Sequence, residues 1–102
     1  MTMTNQLFQA IYYGTDLEFM YDGSYYFINS GKHQDGNIEK HKIIVYKSKG
    51  SFYEDENDDE CVEIYSAIDV SADVNTDNLF ETKLFDGKTF YEIADNITNI
   101  NY

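Results

Sequence analysis

The sequence predicts an α+β fold in which an antiparallel meander of three or four strands is flanked by a short amino-terminal helix and a carboxyl-terminal helix, in two layers. Three observations predict it. Asp22-Gly23 lies between two alternating segments, which is typical of a hairpin with a two-residue loop. Apolar residues recur at strand spacing up to Ser66 and at helical spacing after Thr89. The 102 residues, of which 42% are hydrophobic, supply one core and hence one domain, residues 1–102.

The amino-terminal helix is expected to cover residues 5–13. The Thr4 hydroxyl before it suits an N-cap, and Gly14 after it suits the left-handed residue that ends many helices. The core side of this helix carries Leu7, Ala10 and Ile11.

The next two strands, residues 17–21 and 24–29, are joined at Asp22-Gly23. A two-residue loop fixes their register and places Phe19 opposite Tyr26. One face of this hairpin is then apolar, so we expect it to face the core. That face carries Leu17, Phe19, Tyr21, Tyr26 and Ile28.

Residues 31–40 are polar, contain Gly36 and carry both signs of charge, so they are expected to form a loop. A third strand is expected at residues 41–47, which are rich in β-branched residues. Ser48-Lys49-Gly50 should end it.

A fourth strand is expected at residues 61–66. Val62 and Ile64 alternate within it, so both should face the core. The acidic residues 54–60 would then form a loop between the third and fourth strands.

The carboxyl-terminal helix is expected at residues 89–97, after a turn at Asp86-Gly87. Thr89 and Glu92 have the spacing of a capping box, in which the Glu92 side chain accepts a hydrogen bond from the Thr89 amide. The apolar stripe of this helix carries Phe90, Ile93, Ala94 and Ile97.

The segment before that turn, residues 76–82, is expected to form a short helical turn that buries Leu79 and Phe80. Asp73 begins a partial match to a calcium loop that includes Asp77, but its twelfth position lacks the required acid. We therefore favour a capped turn before a short helix over a calcium site.

The negative charge is concentrated in one third of the chain. Residues 50–82 contain eleven Asp and Glu and no Lys, and the whole chain has a net charge of −12. A field of one sign selects partners of the other sign. The chain also has no Arg, the residue best suited to clamping phosphates, so direct nucleic-acid binding is disfavoured and a basic protein partner is expected.

We expect no catalysis, no cofactor and no metal centre. Cys61 lies between Glu60 and Glu63, and nearby negative charge disfavours the reactive thiolate. His33 and His41 lie among Lys residues and are expected to be exposed at loop or strand ends. No close spacing of His and Cys predicts a zinc site.

The sequence predicts a cytoplasmic protein that does not contact a membrane. No stretch approaches the roughly 18 apolar residues of a membrane span. The amino terminus lacks a basic region followed by an apolar run, so no signal peptide is expected. The single Cys61 excludes an intrachain disulfide and fits a reducing compartment.

These features predict a non-enzymatic protein inhibitor that docks an acidic, Tyr-bearing surface on a basic, nucleic-acid-binding partner. An acidic protein can occupy a groove that is built to bind phosphates, and partly exposed Tyr is favoured at interfaces. The residues expected to contact the partner are Glu54, Asp55, Glu56, Asp58, Asp59, Glu60, Tyr53 and Tyr65.

Other interpretations remain open at this point. The acidic run would be no more than a solvated loop if the Lys-rich residues 32–49 neutralise the later acids. The protein would instead be an immunity protein or antitoxin if its partner is one cognate toxin, or a calcium-responsive or structural accessory domain if it binds calcium. The exposed edge of a small sheet also allows a homodimer.

In size, acidity and order of elements, the chain resembles small proteins carried by phages and mobile elements of low-GC bacteria. The likeness lies in residues 19–28, FMYDGSYYFI, and in residues 85–93, FDGKTFYEI. Some of these proteins are anti-CRISPRs, which inhibit a nuclease by occupying its nucleic-acid or recognition site. The resemblance implies a nuclease of host defence as the partner and assigns no role to any single residue.

Overall fold

A computed structural model describes residues 3–48 and 61–101 of the chain. Within these ranges the elements are α1 (Met3–Tyr12), β1 (Leu17–Tyr21), β2 (Ser24–Asp35), β3 (Ile38–Ser48), β4 (Val62–Asp69), α2 (Ala72–Glu81), α3 (Phe90–Ile93) with a 3-10 turn (Ala94–Asn96), and β5 (Thr98–Asn101). None of these helices is long and apolar enough to cross a membrane.

The first four strands form the predicted antiparallel meander, and a fifth strand extends it at one edge. The strand order is β4-β3-β2-β1-β5, and all neighbours are antiparallel. The sequence does not predict β5, because its four residues alternate too briefly to be told apart from the end of the preceding helical stripe.

Helices α1, α2 and α3 pack on one face of the sheet and form a second layer. Between the layers, Leu17, Phe19, Tyr26, Ile28, Ile43 and Val45 of the sheet contact Leu7, Ile11, Leu79, Phe80, Phe90 and Ile93 of the helices. Every one of these side chains is fully buried. The predicted two-layer α+β fold is therefore confirmed.

The β1–β2 hairpin has the predicted register. Phe19 lies opposite Tyr26, and Tyr21 lies opposite Ser24. Asp22 and Gly23 have φ values of 50° and 79°, the pair of left-handed residues that a type I′ turn requires. A local dipeptide thus sets which face of two strands enters the core.

The prediction of a loop at residues 31–40 is wrong. β2 continues to Asp35 and pairs with Ile38, so only Gly36 and Asn37 form the turn of a second hairpin. Gly36 has a φ of 64° at the first turn position, as in a type II′ turn. These residues are polar because they form a ribbon whose side chains face mainly solvent.

A bulge changes which residues of β4 face the core. Val45 lies opposite Tyr65, but the next residue, Tyr46, lies opposite Glu63, which leaves Ile64 as the extra residue. The prediction that Val62 faces inward is wrong, since its side chain is 58% exposed. Ile64 packs against the core, and the bulge brings Tyr65 to the core side as well.

The capping box at the carboxyl-terminal helix is confirmed. The Thr89 amide donates to Glu92 Oε1 at 3.1 Å, and the Glu92 amide donates to Thr89 Oγ1 at 3.3 Å. The predicted stripe is buried, but the α-helix is shorter than predicted, since it ends at Ile93 and continues as a 3-10 turn. The turn at Asp86-Gly87 is also present, with both φ values positive.

Helix α2 is longer than the predicted turn at residues 76–82. It begins at Ala72, and the Ser71 side chain caps it by accepting a hydrogen bond from the Val74 amide. Leu79 and Phe80 are buried, as predicted.

Helix α1 begins at Met3, so Thr4 lies inside it and the predicted N-cap is wrong. Gly14 follows the helix with a φ of 82°, as predicted for the residue that ends it. The backbone of Gly14 also approaches Gly31 closely, because a Cβ added at Gly14 would lie 3.2 Å from the Gly31 Cα.

We expect Gly14→Ala to lower the free energy of unfolding by about 1–2 kcal/mol, because a left-handed L-residue is strained and its methyl group would press on Gly31. Urea denaturation measures the loss. Gly23→Ala is the matched control, since Gly23 has a similar φ of 79° but nothing lies within 4 Å of an added Cβ. A loss no larger than that of the control would show that the contact with Gly31 is unimportant.

Candidate functional site

Most of the predicted contact residues lie outside the described residues: Tyr53, Glu54, Asp55, Glu56, Asp58, Asp59 and Glu60. Tyr65 is described. It lies opposite Val45 on the core side of β4, and it is half-buried. Burial raises the pKa of the Tyr65 hydroxyl, while a contact with the Thr82 side chain acts in the opposite direction. Tyr65 therefore offers a partner only part of its ring.

The later acids of the sequence are divided between the two faces of the molecule. Glu63 lies opposite Tyr46 on the sheet face that points away from the helices. Asp69 is half-buried, and its Oδ1 accepts a hydrogen bond from the Ser71 amide at 2.9 Å. The remaining three acids lie on α2, so the negative sector is not one continuous surface.

The solvent side of α2 carries three carboxylates in a row, which we call the α2 carboxylate row: Asp73, Asp77 and Glu81. All three are exposed, and they follow one another at a spacing of four residues, which corresponds to about 6 Å along a helix. The opposite side of α2 is fixed to the core through Leu79 and Phe80. A rigid helix thus presents the row.

Tyrosines lie at both ends of the row. At its carboxyl-terminal end, the Tyr91 ring is 50% exposed and lies 5.2 Å from the Phe80 ring. Burial raises the pKa of the Tyr91 hydroxyl, and the nearby Asp77 and Glu81 carboxylates raise it further. The Tyr91 hydroxyl therefore lies close enough to Asp77 and Glu81 to be affected by their charge.

At the amino-terminal end of α2, Tyr12 and Tyr13 border a groove that also touches Ala72. Their rings meet edge to face with centroids 4.9 Å apart, and Tyr13 is largely exposed. The row thus lies between one exposed tyrosine and a tyrosine pair. Tyr91 is far from Tyr12 and Tyr13 in the sequence, and the packing of the helices places all three near α2.

No ion pair between described residues joins a lysine of the sheet to this row. The ion pairs between described residues join Lys32 to Glu39, Lys40 to Asp35 and Lys47 to Asp86, at distances of 3.8, 2.9 and 3.6 Å. These acids lie on the β2–β3 ribbon and at the turn before α3. The ion pairs of these lysines therefore involve other acids, and Lys32 and Lys40 line grooves that touch Ala72 at the amino-terminal end of α2.

A buried polar network positions α2. His41 is only 7% exposed, so the prediction that it is an exposed strand-end residue is wrong. Its Nε2 lies 2.9 Å from the Ile11 carbonyl, and its Nδ1 lies 3.1 Å from Asn75 Nδ2. Asn75 Nδ2 also donates to the His41 carbonyl at 2.8 Å.

This geometry defines the tautomer of His41. A carbonyl only accepts, so Nε2 carries the proton and donates to Ile11, which leaves Nδ1 to accept from Asn75. One histidine therefore connects α1, β3 and α2. A sequence signal existed, because His41 stands two residues before Ile43 and shares its face in a strand of period two.

The calcium interpretation is wrong for the segment that begins at Asp73. Residues 73–78 lie within α2, so their side chains radiate around a helix and cannot converge as in a calcium loop. Among the described residues, no group of three or more His, Cys, Asp or Glu side chains is placed to hold a metal ion.

Comparison of the chain with known protein families, with curated proteins and with solved structures finds no match.

Proposed function

We propose that the protein is a non-enzymatic cytoplasmic inhibitor that docks an acidic, Tyr-bearing surface on a basic, nucleic-acid-binding protein. The observation that carries the proposal is the α2 carboxylate row with exposed tyrosines at both ends. A nuclease of host defence fits the partner, as the resemblance to anti-CRISPR proteins implies. The binding surface then includes α2 in addition to the acidic run that the sequence indicates.

The spacing of the carboxylates supports the proposal that the row binds in a groove of the partner that normally holds a phosphate backbone. Successive carboxylates are about 6 Å apart along the helix, whereas one strand of DNA carries a phosphate about every 3.4 Å of axis. The row therefore supplies about half the charge density of a strand. Glu54, Asp55, Glu56, Asp58, Asp59 and Glu60, with Tyr53 and Tyr65, stay predicted contacts that would supply the rest.

The tyrosines add contact energy that carboxylates alone do not provide. Exposed ion pairs contribute little, because water and salt screen them. Tyr is enriched among the residues that dominate binding energy, since its ring is large and rigid and its hydroxyl forms hydrogen bonds. Tyr91, held against Phe80, is the best placed anchor in the described residues.

The test is capture of partners from a lysate of the bacterium that carries the gene, at low and at high salt. The variant combines Asp73→Asn, Asp77→Asn and Glu81→Gln. We expect it to capture at least tenfold less partner than the wild type, because charged contacts at protein interfaces are worth a few kcal/mol together. Raising the salt should weaken capture by the wild type more than capture by the variant.

The matched control combines Asp16→Asn, Asp22→Asn and Asp95→Asn, three exposed acids outside α2. It has the same net charge as the test variant, so it should capture as the wild type does if position matters. Thermal melts establish that both variants fold. Equal capture by all three proteins would contradict the docking surface. A captured toxin would instead favour the immunity-protein or antitoxin interpretation.

A further inference from the structure

No other described strand pairs with the outer edge of β4. β4 is the end strand of the sheet and has eight residues, Val62–Asp69. Natural edge strands are usually protected by Lys, by Pro, by a bulge or by being very short. β4 contains neither Lys nor Pro, and its bulge at Ile64 leaves residues 65–69 in regular register with β3.

Exposed apolar side chains are frequent on β4 and in the residues just after it. Tyr13, Ile38 and Tyr91 are the exposed large apolar residues that lie elsewhere in the described part of the chain. The others lie on β4 or within five residues of its end, and they are between 46% and 67% exposed: Val62, Ile68, Val70 and Val74. An added strand would cover part of this surface and gain from its burial.

Acidic residues on β4 and just after it favour a basic occupant. Glu63 and Asp69 lie on β4, and Asp73 follows it on α2. On its inner side, β4 already pairs with the basic strand β3. In that pairing Lys42 lies opposite Ile68, and Lys47 lies opposite Val62. A strand on either edge of β4 meets the same β4 side chains. The outer edge should therefore favour a strand whose residues resemble those of β3.

We propose that β4 receives an extended segment of the partner as an added strand, and that this segment alternates Lys or Arg with apolar residues. The inference rests on the proposed function, because it describes how the basic partner binds. Main-chain hydrogen bonds would supply affinity and the alternating side chains would supply specificity. A second copy of the chain fits less well, since two molecules that each carry a net charge of −12 repel one another.

The probe is a synthetic peptide that copies residues 40–48, KHKIIVYKS, because this is the basic, apolar strand that β4 accepts on its inner side. Titration into isotopically labelled protein, followed by amide NMR shifts and by hydrogen exchange, reports where it binds. We expect saturable binding at up to millimolar peptide, with shifted and newly protected amides in β4. Binding should weaken as salt is raised.

Two control peptides separate the main-chain and the charge requirements. In the first, Val45→Pro removes a main-chain donor from the middle of the peptide, which strand pairing uses. In the second, Lys40, Lys42 and Lys47 become Glu. Each control should bind at least tenfold more weakly.

Protein variants test the edge itself. Ile68→Lys places a cation on the exposed edge and should weaken binding of the basic peptide at least tenfold. Ile68→Thr keeps a β-branched side chain without charge, and it should weaken binding less than threefold.

Several results would overturn strand addition. These are the absence of saturable binding at millimolar peptide, binding that the Pro peptide reproduces, shifts confined to α2, and dimerisation through β4 in sedimentation at the NMR concentration. The peptide experiment does not use the natural partner. Strand addition can therefore fail while neutralisation of the α2 carboxylate row still abolishes partner capture, and the reverse outcome is equally distinguishable.

Discussion

Replacing Phe90 by Ala should lower the free energy of unfolding by about 3–5 kcal/mol. The Phe90 ring lies where three parts of the fold meet. Its centroid is 4.7 Å from the Phe80 ring of α2, 5.3 Å from the Phe19 ring of β1 and 5.2 Å from the Phe85 ring before the turn. Removing a fully buried ring leaves a cavity that rigid neighbours cannot fill.

The measurement is urea denaturation followed by circular dichroism. Phe90→Leu keeps much of the volume and should cost clearly less than the Ala variant. Tyr91→Ala is the matched control, because it truncates the neighbouring aromatic residue on the same helix. The Tyr91 side chain is half exposed, so its loss leaves no comparable cavity. Since a domain of this size is stable by only about 5–15 kcal/mol, Phe90→Ala should bring the protein close to unfolding.

Equal losses from Phe90→Ala and Tyr91→Ala would contradict the assignment of Phe90 to the centre of the core. A loss below about 1 kcal/mol for Phe90→Ala would do so as well, because it would mean that the site collapses without cost.

The features that the sequence predicts correctly are those that neighbouring residues determine. Asp22-Gly23 specifies its turn through the φ values of two residues, and the register of β1 and β2 follows. Thr89 and Glu92 cap their helix through reciprocal bonds over three residues. In both cases the interaction that decides the structure lies within one turn of chain.

The features that the sequence misses depend on partners farther away. Residues 31–40 have the composition of a loop, yet their backbone pairs across a hairpin because Gly36 permits a tight turn. The bulge at Ile64 exists only relative to β3, so no alternation within β4 reveals it. β5 is defined by its pairing with β1, which lies about 80 residues away along the chain.

The candidate site shows the same division. The acids of α2 share one side because four-residue spacing does so on any helix, so this row follows once the helix is known to begin at Ala72. The sequence signal for that start is Ser71, whose side chain caps the helix. The approach of Tyr91 to Asp77 and Glu81 depends on packing between α2 and α3, and spacing along the chain does not indicate it.

Replacing Asn75 by Ala should lower the free energy of unfolding by about 2–4 kcal/mol, because buried groups that lose a partner cost about 1–3 kcal/mol each. Asn75 Nδ2 donates to the His41 carbonyl and to His41 Nδ1, and it lies 3.4 Å from the Ala67 carbonyl. Ala cannot replace any of these bonds, and water cannot readily reach a residue that is 2% exposed.

Asn78→Ala is the matched control on the same helix. Asn78 is exposed, and Ala has the higher helix propensity, so this variant should be neutral or slightly stabilising. A loss as large as that of Asn75→Ala would show that the effect of Asn75→Ala does not come from the buried network.

A double-mutant cycle with His41→Ala isolates the bond between the two side chains. If Asn75 stabilises the fold mainly through the His41 side chain, the losses of unfolding free energy in the two single variants should add up to more than the loss in the double variant. The expected difference is about 1–2 kcal/mol. Additive losses would instead assign the effect of Asn75 to the backbone carbonyls that it also binds. Because this network joins α2 to α1 and β3, a folded variant that lacks it should present the α2 carboxylate row less rigidly. It should therefore capture the basic partner more weakly although every carboxylate remains.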